Sequence, residues 1–326
     1  MKDKPDNLVK TKVKFVIVSE EFAGQRIDNY LVNYLKNVPK SHIYRLIRTG
    51  DVRINKRRIK AFYRLLEGDS IKIPPLYLEE KAKQAPPSQH TMQYLKDRIL
   101  YEDDYLIILN KPSGLSVHAG STVRIGVIEA MKYLYPQYPQ LELAHRLDSE
   151  TSGCLVLAKK RRVLRKLHQL LREGKTTKLY WALTMGHWKK SECHVNLPLH
   201  KDYRDGGKHV VEVNESGKEA ITEFHPQEIF KQATLVEVKL LTGRTHQIRV
   251  HAAHFNHSIA GDDRYGDAEF NRSCQRLGLK RMFLHARSIE FTLPLLKQHI
   301  KVTAPLDSEL ADFLKLLEKA EYDTKR

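Results

Sequence analysis

Residues 76–97, LYLEEKAKQAPPSQHTMQYLKD, interrupt the hydrophobic periodicity with Pro86-Pro87 and a mixed polar run, and this break limits the possible folds more than any other feature. Proline has no backbone N–H to give to a helix or a sheet ladder, so the stretch reads as a linker. It divides the 326 residues into a small module with an N-terminal extension, 1–75, and a larger domain, 98–326. The larger piece is long enough to enclose a buried site.

The small module begins with a strand pattern, VKFVIV at 13–18. Ile27, Tyr30, Leu31, Tyr34 and Leu35 then recur at helical spacing. A second helix, PKSHIYRLIRTG, starts near Pro39 to Ser41 and stops at Gly50, a residue that tolerates the left-handed conformation at a helix end. Short strands joined by turns follow, with Gly68-Asp69 marking one turn. Cations are grouped here: Lys40, Arg45 and Arg48 on the second helix, and Lys56, Arg57, Arg58 and Lys60 in the next turn. A solvated charged face explains one such cluster; two on neighbouring elements suggest a polyanion surface.

Beyond the break, Leu106–Leu109 and CLVLA (154–158) read as buried strands, and VIEAMKYLYP as a helix. KKRRVLRKLHQLLREG is an amphipathic helix with Val163, Leu164, Leu167, Leu170 and Leu171 on one face. KLYWALTMG, EAITEFHPQEIF and ATLVEVKLLTG supply further strands, RTHQIRVHAAHFN a helix, and DSELADFLKLLEKA a final helix capped by Asp307 or Ser308. Strands outnumber helices without strict alternation, which predicts an α+β domain on a mixed, mainly antiparallel sheet.

The charge balance narrows the partner. There are 56 Lys and Arg against 39 Asp and Glu, a net charge of +17. Such a field attracts polyanions, nucleic acid first. An anionic membrane would call for a concentrated basic anchor or a lipidation signal, which neither terminus offers, and the start MKDKPDNLVK lacks the apolar core of a signal peptide. Cys154, Cys193 and Cys274 are widely spaced and odd in number, which fits neither a disulfide framework nor a clustered zinc site. A cytoplasmic protein is the expectation.

Against that background HRLDSETSG, 145–153, places Asp148 at a turn after Arg146 and Leu147. An aspartate at a turn ordinarily bonds only its local backbone, so a chemical role needs support from distant segments. Three segments give it together: HRLDSETSG, KLYWALTMG and LTGRTHQIRVH. Their order and spacing resemble the RluA family of RNA pseudouridine synthases, with the patterns H-R-L-D-x-x-T-S-G, K-x-Y and T-G-R-x-H-Q-I-R. The likeness extends to NKPSGLSVHAG and DDRYGD. The leading module, RIDNYL…VPKSHIYRLIRTGDVRINKRRIK, resembles the S-four-type RNA-binding domain. The combination looks most like the RluC type, which acts on 23S RNA of the large ribosomal subunit.

The resemblance implies an isomerase that detaches uracil from ribose at the ring nitrogen, turns it, and rejoins it through a ring carbon. Nothing is oxidised or lost, so it implies no cofactor and no metal, and it names 23S ribosomal RNA as partner without an obligate protein partner. By carry-over Asp148 is the ionised carboxylate and nucleophile, though attack on the sugar, addition to the base and removal of a sugar proton are all compatible with the residues. Arg249 is the cation that keeps it charged in a desolvated pocket, with a planar fork able to hold it bidentately. Tyr180 stacks on the uracil near the carbon that loses its proton; on a strand, Tyr180 and Thr184 would face the cleft while Leu179, Trp181 and Leu183 face the core. Ile248 forms an apolar shelf under the base, and Arg146 takes the place of the flipped nucleotide. His145 braces the loop, and Thr151, Ser152 and Gly153 serve structure.

Two other readings concern the same residues. His246, His251, His254 and His257 crowd one helix as metal-binding helices do, but without H-E-x-x-H or an adjacent cysteine ordinary polar helix positions are the default. Lys159, Lys160, Arg161, Arg162, Arg165 and Lys166 form either a solvated helix face or an RNA-backbone track. The rival functions are a non-catalytic RNA-binding or ribosome-assembly protein and a metal-dependent nuclease.

Overall fold

The computed structural model describes residues 8–35, 38–79, 86–119, 125–190, 193–203 and 209–324. The chain forms two compact units, Met1–Ala85 and Pro86–Arg326.

The first unit contains β1 (Leu8–Lys10), β2 (Lys14–Ile17), α1 (Ile27–Tyr34), α2 (Lys40–Thr49), β3 (Arg53–Ile54), β4 (Ser70–Ile73) and β5 (Tyr77–Glu79). Strands β2, β4 and β3 make an antiparallel sheet, and β1 pairs with β5. Ile27 and Leu31 of α1, Ile43 of α2, Leu65 and Ile71 are completely buried together. Each such side chain contributes about 1.5–3 kcal/mol of transfer free energy. Gly50 ends α2 at φ +78°, and a Cβ built on it would lie 2.6 Å from Nε of Arg58. The missing side chain thus lets Arg58, from the second basic cluster, lie against the end of the helix that carries the first.

The stretch 76–97, expected as irregular linker, holds β5 at one end and a helix, α3 (Gln89–Lys96), at the other. Ser88 caps that helix by accepting from the Thr91 N–H. Pro86-Pro87 therefore comes just ahead of a helix start, where a missing N–H and a fixed φ cost little.

The second unit continues with β6 (Ile99–Glu102), β7 (Leu106–Lys111), α4 (Val127–Leu134), β8 (Glu142–Leu143), β9 (Ser152–Ala158), α5 (Arg161–Arg172) and β10 (Thr176–Met185). Then come β11 (His194–Asn196), β12 (Leu199–Tyr203), β13 (His209–Val213), β14 (Ile221–Ile229), β15 (Ala233–Leu240), α6 (Gln247–His254), α7 (Ala268–Arg276), β16 (Leu284–Leu293), β17 (Gln298–Thr303) and α8 (Ser308–Thr324). One ten-stranded sheet runs β11-β14-β15-β10-β16-β9-β7-β6, with β17 on β16 and β8 on β9. Its pairings are antiparallel except β9 with β16. This is the α+β arrangement on a mixed, mainly antiparallel sheet.

Every residue of β7 and β9 is buried, so their apolar runs are continuous rather than alternating. The two faces nevertheless separate by the strand period. Ile107, Leu109, Leu155 and Leu157 enter one core, while Leu106, Ile108 and Val156 pack with Val163, Leu167 and Leu170 of α5. Asp307 precedes α8, but its carboxylate accepts from Arg98 and Arg281.

Candidate active site

Asp148 lies in the loop from β8 to β9, at the end of β9 where the parallel partner β16 joins. Gly153 makes that junction possible. Its φ is +107°, and a Cβ there would fall 2.2 Å from the Ala286 carbonyl oxygen. Next to it Ser152 is fully buried, its hydroxyl 2.9 Å from Nδ1 of His285 and accepting from Arg281 at 3.0 Å.

The loop backbone is tied to the 111–115 turn. Lys111, wholly buried, donates its ammonium to the carbonyls of Pro112, Leu115 and Ser149 at 2.8, 2.9 and 2.8 Å. Burial pulls its pKa down to about 7 while the three carbonyls use its three donors. The Gly114 N–H also reaches Ser149 O, and Ser113 Oγ donates to Glu150 O. His145 accepts from the Val156 N–H at Nε2, 3.1 Å, and burial lowers its pKa to about 4, so it braces the loop as a neutral ring.

Arg249, on α6, brings the cation. Its Nε and Nη2 each donate at 2.7 Å to the two oxygens of Asp262, while Nη1 stands 3.5 Å from Oδ2 of Asp148. The expected bidentate grip on Asp148 is therefore incorrect: the fork is spent on Asp262, and Asp148 receives the remaining nitrogen. Asp262 is further fixed by the Arg264 and Tyr265 N–H groups at 2.9 and 3.0 Å. Burial works against both charges, yet their mutual hydrogen bonds hold the Arg249 pKa up and the Asp262 pKa down. The Asp148 and Arg249 side chains are 17% and 8% exposed.

His246 places Nε2 3.8 Å from Asp148 and Nδ1 2.8 Å from the Tyr265 hydroxyl. Burial lowers its pKa to about 4, with Asp148 opposing that and Arg249 adding to it, so it stands beside the carboxylate uncharged. It adopts the left-handed conformation, φ 54°, at the start of α6. The following Gln247 secures the turn, accepting from Thr242 and the Arg244 N–H and donating to Ile221 O and Thr222.

Arg146, Leu147, Asp148, His246 and Arg249 line two cavities at once, of about 660 and 510 Å³. The smaller one also contains Tyr180 and Ile248, both buried in the main core. Burial, and secondarily the Asp148 charge, raise the Tyr180 pKa and keep its phenol protonated. The expected division of β10 does not hold. Thr184 is buried, its hydroxyl donating to Thr234 O and accepting from the Trp188 indole, while Trp181 is half-buried under Arg287. β10 is covered on both faces, and its pairing with β16 shifts register between Leu179 and Trp181, so simple alternation fails.

The other candidate residues are distributed as follows. Arg146 is exposed, and Lys40, Arg45, Arg48, Lys56, Arg57, Arg58 and Lys60 are exposed in the first unit. Arg45, Arg48 and Lys60 share a 480 Å³ groove with Tyr44 and Phe62, whereas Lys40, Lys56, Arg57 and Arg58 lie outside it. Lys159 leaves the supposed α5 track: it is buried, bonded to Glu102 and Asp103 O at 2.6 Å each. His251 bonds Thr222 and Leu197 O, and His257 bonds Met185 O. Among the described residues no group of three or more His, Cys, Asp and Glu is placed to hold a metal ion. Also among them, no helix is long and apolar enough to cross a membrane.

Sequence reasoning missed His246 beside Asp148, and Asp262 and Tyr265, which bond Arg249 and His246 there. The motif DDRYGD was noticed without a role, and it supplies the last two.

The mixed sheet thus presents a carboxylate, a guanidinium and a tyrosine at one cleft, on a chain with a separate basic module, an arrangement suited to an enzyme with a polyanionic substrate. Comparison with known proteins makes this specific. Residues 105–254 match the family described as RNA pseudouridylate synthase, and 25–71 match the S4 domain. The chain is 49% identical to "Ribosomal large subunit pseudouridine synthase C" of Vibrio vulnificus (strain CMCP6), over 93% of this chain and 96% of that protein. It is 47% identical to the protein of the same name from Escherichia coli (strain K12), over 94% and 98%. Its fold is similar to "Human RNA Pseudouridylate Synthase Domain Containing 4", with a TM-score of 0.57 and 27% identity over 70% of this chain and 96% of that one. The chain belongs to the RNA pseudouridylate synthase family and is an isomerase.

Proposed function

We propose that the chain converts specific uridines of large-subunit 23S ribosomal RNA to pseudouridine in the cytoplasm, without an obligate protein partner. Residues 98–326 carry the chemistry, and the basic 1–75 module grips structured RNA. The observation that carries the reading is Asp148 held 3.5 Å from Arg249 Nη1, mostly withdrawn from solvent, at the wall of a cavity that also contains Tyr180 and Ile248. The names of the relatives and the net charge of +17 support ribosomal RNA as substrate.

In this reading the target uridine leaves the RNA stack, and Arg146, exposed at the rim, fills its place. The uracil enters the cavity with Ile248 beneath it and Tyr180 against its face. Asp148 acts as the nucleophile while the N1 glycosidic bond breaks. Arg249, anchored by Asp262, sets one guanidinium nitrogen beside Asp148 without occupying both its oxygens. The uracil turns, C5 bonds to C1′ as the bond that Asp148 had formed breaks, and the proton on C5 is lost near Tyr180 while N1 gains one. Burial and the Asp148 charge hold the phenol protonated, so its hydroxyl serves this step as a relay, giving up its own proton as it receives the one from C5.

The test is chemical mapping of pseudouridine in ribosomal RNA from cells lacking this gene, complemented with the wild type or with Asp148→Asn. Sites that vanish, return with the wild type and stay absent with the variant support the proposal. An unchanged map, or full restoration by the variant, overturns it.

A further inference from the structure

Lys178 stands on β10 two residues before Tyr180, and both line the 510 Å³ cavity. Tyr180 is buried, whereas Lys178 is half-buried and Gly243 and Arg244 beside it on the cavity wall are exposed. Lys178 therefore occupies the open end. Two strand residues span about 7 Å, so the lysine stands about that far along β10 from the tyrosine.

Its ammonium differs from the other withdrawn cations of this unit. Lys111 is satisfied by three carbonyls, Lys159 by Glu102 and Asp103 O, and Arg249 by Asp262. The Lys178 ammonium has no hydrogen bond or ion pair to any described residue. Burial lowers its pKa with no carboxylate opposing the shift. A cation withdrawn from water without a counter-charge is unfavourable unless an anion arrives to complete it. There is room for one in the 510 Å³ cavity that Lys178 lines, and Gly243 beside the ammonium presents no side chain; a Cβ built on it would lie 3.6 Å from Nζ.

We propose that Lys178 binds the phosphate of the extruded nucleotide at the cavity mouth while its base lies deeper against Tyr180 and Ile248. The inference rests on the proposed function. A phosphate brings the full negative charge that the site lacks, and a neutral base oxygen does not. Lys178 is in this sense a substrate-positioning residue, fixing how far the uridine enters relative to Asp148.

The experiment uses the full chain and an RNA fragment bearing a mapped target uridine, with a neutral methylphosphonate replacing the phosphate on one side of that uridine or the other. Lys178→Gln is expected to lower kcat/KM about 10- to 100-fold, mostly through KM, and to reduce the slope of log affinity against log salt by about 0.7–1. One of the two methylphosphonates should weaken the wild type by a similar factor and add little in Lys178→Gln. Lys178→Arg should recover much of the loss, and the thermal midpoint of Lys178→Gln should not fall. Equal, additive losses from both methylphosphonates in the two proteins, or an unchanged salt slope, overturn the assignment. A wild type that binds the fragment without forming pseudouridine counts against the proposed function instead, and the binding slope still reads Lys178.

Discussion

Arg249 and Asp262 form a two-pronged pair, Nε and Nη2 each 2.7 Å from a separate carboxylate oxygen, and Asp148 meets only the nitrogen left over. The cation is thereby fixed by Asp262. Asp148 meets its field while keeping lone pairs uncommitted, which suits the nucleophile proposed above.

Asp262→Asn leaves the shape nearly unchanged but removes the charge that anchors a buried guanidinium. Breaking such a pair costs about 3–5 kcal/mol, so the denaturation midpoint should fall clearly, with turnover reduced as Arg249 loses its position. Denaturant titration and initial rates check both.

Asp148→Asn should bind substrate RNA within about twofold of wild type and lose at least about a thousandfold in turnover. Filter binding alongside a pseudouridine assay separates the two effects. A variant retaining normal turnover would remove Asp148 from the chemistry.

Tyr180→Phe preserves ring and packing and removes the hydroxyl alone. Binding should persist while product formation slows at the step that removes the ring proton, giving a larger solvent or C5 isotope effect than in wild type. Normal rates would restrict Tyr180 to stacking.

Lys111→Met fills the same buried space but orphans the carbonyls of Pro112 and Leu115 and leaves Ser149 O with the Gly114 N–H alone. Each unsatisfied buried group costs about 1–3 kcal/mol, and the Asp148 loop loses its tether to the 111–115 turn. Lower thermal stability together with impaired turnover is expected; unimpaired turnover in a folded variant would show that the tether does not set the site.

His145, His246 and His251 each have a folded pKa lowered by burial to about 4, against about 6.5 unfolded. Between those values the unfolded chain binds more protons than the folded one, so stability rises with pH. It is fully present above about pH 6.5 and is lost as pH falls towards 4. Thermal midpoints across that window should drop on acidification, and His251→Gln should flatten the curve.

That Asp148, Tyr180 and Arg249 come together at one cavity was legible from the motifs, because their order and spacing follow a family pattern. Asp262 was not, since nothing about two adjacent aspartates says that one turns inward beneath an arginine. Lys111 and Lys159 escaped for a related reason. Lysine is normally solvated, and their burial follows from carbonyls and a carboxylate supplied by segments distant in sequence or folded back on them. The strand at Tyr77–Glu79 was hidden because its ladder partner, β1, lies far upstream at Leu8–Lys10. The alternation rule failed on β10 through a register shift that only its neighbour β16 determines.

Gly153 offers only a hydrogen to the backbone of Ala286, so two peptide segments more than a hundred residues apart are in effect soldered at the base of the Asp148 loop. Protein engineers who retarget this scaffold therefore have little freedom at that seam, where any added methyl would pry the strands apart. Altered specificity has to be sought around the cavity rims, and the seam inherited unchanged.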